Sequence, residues 1–131
     1  MPDVNWIAVL LCALSSLVLG ALWYSPLLFA RAWQRGAGLT DDQLAGSNMV
    51  LIFGGAFLLS LAAATIFAVL MGHRHGLAEW TAAGAGAGAL VAAAFGINYL
   101  FERRSLGQWA INGGYHLLQF VLFGLILAHF A

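Results

Sequence analysis

The chain has 131 residues, of which 63% are hydrophobic and only 8% are charged, and its five basic residues balance five acidic ones. An ordinary soluble domain carries roughly 25% charged residues, so a water-soluble fold of this length has too little polar surface to cover itself. The zero net charge gives no footing for nucleic acid or an acidic partner; lipid is the solvent that fits.

Four apolar runs are long enough to cross a bilayer, which takes about 20 residues of helix. They are Val4 to Tyr24, Met49 to Met71, Trp80 to Phe101 and Trp109 to Phe130, and none has a charged residue in its interior. Lipid offers no partner for backbone amides, so each run must satisfy its own as a helix. The spacing predicts an all-α fold: an antiparallel bundle of four transmembrane helices at about 4–25, 48–71, 80–101 and 109–130, in a single membrane domain. Trp6, Trp23, Tyr24, Trp80, Tyr99 and Trp109 mark the run ends, as an interfacial aromatic belt does. The N-terminus lacks the positive region of a signal peptide, so the first span is expected to be retained. The lone Cys12, inside that span, excludes an intrachain disulfide and reads as a small buried apolar group.

Orientation follows from the arginines. Arg31 and Arg35 follow the first span and Arg103 and Arg104 follow the third, whereas the opposite side carries only Arg74. Cytoplasmic loops hold the excess of positive charge. The expectation is a bacterial cytoplasmic membrane protein with both termini outside.

The first loop has content of its own. Leu27 to Phe29, Ala32 and Trp33 alternate with Arg31, Gln34 and Arg35, a pattern that fits either a short helix at the headgroups or a frayed end of the first span. After Gly36-Ala37-Gly38, Thr40 to Gln43 reads as a capping box, with Thr40 as N-cap and Gln43 reaching back. In the third run Gly84, Gly88, Ala92 and Gly96 recur every fourth position. Such a stripe lets helix backbones approach closely in lipid, so this helix is expected to be the most central. A segment of the second run, Ile52-Phe-Gly-Gly-Ala-Phe-Leu-Leu, also aligns with Ile111-Asn-Gly-Gly-Tyr-His-Leu-Leu of the fourth. The match fits two tandem helical hairpins, although such matches arise readily by chance between apolar, low-diversity helices.

Polar side chains concentrate around one turn. Asn98 and Glu102 end the third run, and Asn112, Tyr115, His116 and Gln119 lie in the first half of the fourth. Asn112, His116 and Gln119 share a face by three- and four-residue spacing, with His116 roughly 10 Å inside from Trp109. Trp23, Tyr24 and Ser25 end the first span at the same level. Polar groups at depth are costly and point to function, here a pocket in which His116 binds or relays and the amides hydrogen-bond. The competing reading is interhelical glue, since Asn, Gln and His also tie membrane helices together, and Glu102 beside Arg103 and Arg104 fits a headgroup-level ion pair.

A second group, His73, Arg74, His75 and Glu79 with Asp3 and His129, lies toward the other side. It has neither the Cys nor the repeated spacing of a metal site, so it reads as solvated loop residues. The chain has no phosphate-cradling glycine loop, nucleophile elbow or paired thiols. No metal or cofactor is expected, and no enzyme activity.

Three motifs carry a resemblance. They are G-A-L-W-Y-S-P-L-L-F at Gly20 to Phe29, with Trp33 following, F-E-R-R-S at Phe101 to Ser105, and I-N-G-G-Y-H at Ile111 to His116. The chain, from Asn5-Trp6 nearly to its end, resembles the small bacterial and fungal membrane proteins grouped as domain-of-unknown-function family 1761. The resemblance implies a polytopic membrane protein and brings no activity with it. It falls on Trp23, Tyr24, Ser25, Pro26, Glu102, Arg103, Asn112, Tyr115 and His116 without assigning roles. Arg31 stands where lysine is expected in many relatives.

Two functions remain open. One is a membrane protein that binds, and in one version transports, a small solute or ion at Trp23, Tyr24, Ser25, Asn98, Glu102, Asn112, Tyr115, His116 and Gln119. The other is an accessory subunit in which the same residues fix packing. The expected partners are the lipid bilayer and further copies of the chain, because four short helices enclose little volume alone.

Overall fold

The computed structural model describes residues 3–72 and 76–131. Its elements are α1 (Trp6–Trp23), α2 (Ala30–Ala37), α3 (Asp41–Ala45), α4 (Met49–Met71), α5 (Leu77–Glu102) and α6 (Leu106–His129), with no strand among the described residues. The four long helices are apolar enough to cross a membrane, and they expose large side chains such as Leu59, Leu70, Leu100 and Phe101. An apolar perimeter of this extent has lipid as its solvent. The protein is a multi-pass membrane protein built as a four-helix bundle.

Local chemistry sets the helix ends. The side chains of Asn5, Asn48 and Ser105 each accept from the backbone N–H three residues on, capping α1, α4 and α6. The Ser105 cap starts α6 three residues before the apolar run expected at Trp109, so Gln108 becomes helical and buried. The α5 helix likewise begins at Leu77, ahead of the run expected from Trp80. Thr40 and Gln43 form the predicted capping box at α3. The first connection contains a separate helix rather than a frayed end: a turn at Ser25–Phe29 divides α1 from α2. Gly38 stops α2 at φ 69°, a left-handed conformation that suits glycine. Arg103 takes the corresponding conformation, φ 59°, in the sharp reversal from α5 to α6.

Packing follows the small residues. A Cβ on Gly84 would collide with the carbonyl of Phe120, and one on Gly88 would lie 2.6 Å from Leu117 Cα. Gly96 sits against the Trp109 indole, Ala92 against Gly113, and Gly124 against the backbone of Trp80. The predicted stripe thus docks α5 onto α6, and α6 answers with glycines of its own. The expectation that the stripe-bearing helix is central is corrected by this geometry. The stripe is narrow and fully used by one neighbour, so the rest of α5 faces outward. The central helix is α6, with eight buried residues against three in α5; it meets α5, α1 and α2.

The well-packed core lies in the half of the bundle nearest the chain termini. Val9 and Cys12 of α1, Ala64 and Phe67 of α4, Trp80 of α5, and Phe120, Phe123 and Leu127 of α6 form it. Phe67 meets both Trp80 and Phe120 edge-on at 5.9 Å. The other half, beneath α2 and α3, is built differently.

Candidate functional site

In the half beneath α2 and α3, side-chain hydrogen bonds form a ladder descending along α6. The upper rung centres on Asn112. Tyr24 donates its hydroxyl to Asn112 Oδ1 at 2.7 Å, and Asn112 Nδ2 donates to the Tyr99 hydroxyl at 2.7 Å. One amide thereby joins α1, α5 and α6. One turn further in, the Tyr115 hydroxyl donates to the Ser16 carbonyl at 2.9 Å, and the His116 ring stands edge-on to Phe95 and Tyr115, each at 4.9 Å. The third rung is Gln119, 4% exposed, whose Nε2 donates to Ser16 Oγ at 2.9 Å and reaches Ser60 Oγ of α4 at 3.5 Å. His116 Nδ1 lies 2.7 Å from Gln119 Oε1. With the amide so placed, Nδ1 donates its hydrogen to Gln119 Oε1. Below this rung Phe120, Phe123 and Phe67 close the column.

Two tryptophans act as struts beside the ladder. Trp23 Nε1 donates to the Ile111 carbonyl at 2.8 Å, and Trp109 Nε1 to the Ala92 carbonyl at 2.7 Å. Indole N–H groups that sit inside an apolar region need such partners.

The structure brings together Trp23, Tyr24, Asn112, Tyr115, His116 and Gln119 of the residues predicted from sequence. Ser25 lies at the edge of this group and spends its hydroxyl on the Leu22 carbonyl at 2.6 Å. Asn98 and Glu102 stand apart. Asn98 is exposed, without a hydrogen-bond partner among the described residues; its neighbour Tyr99 is the residue of α5 that faces Asn112. Glu102 is exposed and pairs with Arg104 at 3.3 Å, the headgroup-level ion pair weighed from sequence. Sequence reasoning missed Ser16, Ser60 and Tyr99 as members of the network. Hydroxyls within otherwise apolar runs were the available signal for the two serines.

A cavity of about 850 Å³ adjoins the ladder. Ser16, Leu17, Gly20 and Ala21 of α1, with Tyr24 just past its end, form one wall, and Met49, Ile52, Phe53 and Ala56 of α4 the other. Tyr115 lies at its floor, and Ala30, Trp33 and Gln34 of α2, with Leu39 and Leu44, cover it. The cavity extends eight residues along α1, roughly 12 Å at 1.5 Å per residue, over a third of a typical hydrocarbon core. Its lining holds no charged residue, and most of its polar side chains are committed elsewhere. Tyr24, Tyr115, Ser25 and Ser47 donate their hydroxyls to protein acceptors, and Gln34 donates to Asp41 at 2.7 Å. The cover is fixed at its other edge, where Gly36 packs directly on the buried side chain of Gln108.

Of the group expected on the far side, His73, Arg74 and His75 lie outside the described residues. His129 stands edge-on to Phe130, and Asp3 lines a smaller cavity of about 290 Å³ near the termini. Among the described residues no three His, Cys, Asp or Glu side chains converge as metal ligands.

The model of one protein family, described as protein of unknown function (DUF1761), matches residues 7–128. No curated protein and no solved structure matches the chain.

Proposed function

We propose that this chain, which belongs to the DUF1761 family of proteins of unknown function, is a membrane-embedded binding protein, not an enzyme, that holds a small amphipathic solute between α1 and α4. The observation carrying this reading is the cavity. Its volume of about 850 Å³ falls within the roughly 300–1,000 Å³ of small-molecule sites, and its walls are apolar with a few placed polar groups. The ladder along α6 is then the rigid back of the site: Asn112, His116 and Gln119 hold Tyr24 and Tyr115 in place and do not meet the solute themselves. An uncharged lining favours an amphipathic molecule over an ion. The arginine loops support an arrangement with α2 and α3 at the cytoplasmic face of the inner membrane and both termini outside.

The second reading, in which the polar residues only fix packing, draws on the mutual bonding of the ladder. Trp33, in the cavity cover, separates the two. A bromine-bearing alkyl maltoside added to the purified protein should quench Trp33 fluorescence saturably. That component should be absent in Trp33→Phe and strongly weakened in Ala56→Phe, which fills the cavity. Quenching that rises linearly, unaltered by Ala56→Phe, would leave only the packing reading.

A further inference from the structure

The cavity is apolar, yet its cover is not, and the two faces of that cover point to a class of occupant. Helix α2 is divided into three sectors at 100° per residue. Ala30, Trp33 and Gln34 face down into the cavity. Gly36 lies to one side, against Gln108 of α6. Arg31 and Arg35 lie to the other side, next to Gln34, one turn apart and both exposed. Neither guanidinium has an ion-pair partner among the described residues. The nearest acid in sequence, Asp41, accepts instead from Gln34. Two exposed cations without an ion-pair partner among the described residues thus stand on the helix that covers the slot, outside its lining but next to Ala30 and Gln34, which line it.

Resting on the binding reading above, we infer that the occupant is an anionic single-chain amphiphile of the fatty-acid type, its chain lying between α1 and α4 and its ionised carboxylate held by Arg31 and Arg35. The slot takes a chain because most of its polar side chains are committed to protein partners and its walls carry no charge. It takes one chain because α1 and α4 bound it on both sides. The carboxylate fits the rim because a guanidinium fork offers two parallel N–H groups to two oxygens. A neutral head would leave both arginines to water, and an ammonium head would meet like charge.

The test compares heads on one brominated chain, reading Trp33 quenching in alkaline buffer where the carboxyl group is ionised. The carboxylate should bind about tenfold more tightly than its methyl ester, a modest return for two exposed charge-assisted contacts, and the alkylammonium should bind weakest. Arg31→Gln with Arg35→Gln should bring the carboxylate down to the ester and leave the ester unchanged, whereas Arg31→Lys with Arg35→Lys, which keeps the charge, should retain part of the preference. Equal affinity of carboxylate and ester in the unaltered protein overturns the inference while leaving the binding reading standing. So does a two-chain anionic phospholipid that competes as well as the fatty acid. If no brominated amphiphile quenches Trp33 saturably, the binding reading falls and this inference falls with it.

Discussion

Between α5 and α6 the backbones touch: Gly84, Gly88 and Gly124 leave no room for a side chain, and carbonyl groups of one helix lie against the Cα atoms of the other. Between α1 and α4 stands a cavity lined by Leu17, Ile52 and Phe53. Both pairs contain a Gly-Gly sequence in a similar apolar setting, and only one pair uses it. Gly113 and Gly114 meet Ala92 and Trp23, whereas Gly54 and Gly55 have nothing within 4 Å. A glycine pair in lipid is permission for close approach, and the facing residues decide whether the permission is taken. Opposite Gly113 stands Ala92; on the α4 side the glycines face outward, and the helix meets α1 through other residues.

This contrast predicts a graded series of effects. The largest is expected for Gly88→Leu, which drives a branched side chain into the α6 backbone and should destabilise the protein by about 3 kcal/mol, seen as a large fall in thermal unfolding midpoint. Gly54→Leu should leave the midpoint unchanged. Comparable losses from both substitutions would erase the distinction between the pairs. Next comes Asn112→Leu, which removes two hydrogen bonds at once. Membrane hydrogen bonds average about 0.6 kcal/mol each, so a loss of about 1 kcal/mol is expected, most of it recovered in a Tyr24→Phe, Tyr99→Phe background because the partners are then already gone. Full additivity in that cycle would show that Asn112 acts through something other than the two tyrosines. A smaller effect is expected for Gly36→Val. Its side chain meets the end of Gln108 and should loosen α2 over the cavity, exposing the Arg35–Gly38 segment to protease with little change in midpoint. The smallest belongs to Asn98→Leu, which should be silent; a loss as large as that of Asn112→Leu would place Asn98 back in the network.

The parts of this architecture that obey a local rule were legible in the sequence. Four spans follow from run length, the α3 cap from Thr40 and Gln43, and the docking stripe from four-residue spacing. Its consequence was misjudged, because periodicity locates a contact face without saying how many neighbours a helix has. The candidate site was legible only in part. Polarity singles out Asn98 over Tyr99, yet the tyrosine combines a ring that tolerates an apolar setting with a hydroxyl at its tip, and its position on the helix aims it at α6. The cavity had no signature at all. It exists because α1, α2 and α4, which follow one another in the chain, leave a space that none of them fills, and a space between helices is not a property of any residue in them.

The aromatic seal formed by Phe67, Phe120, Phe123 and Trp80 carries one last consequence. On the binding reading, a solute held beneath α2 has this wall between it and the half of the bundle nearest the termini. Passage through to the opposite face would demand that four tightly fitted rings be repacked, a change in the heart of the bundle and not the swing of a loop.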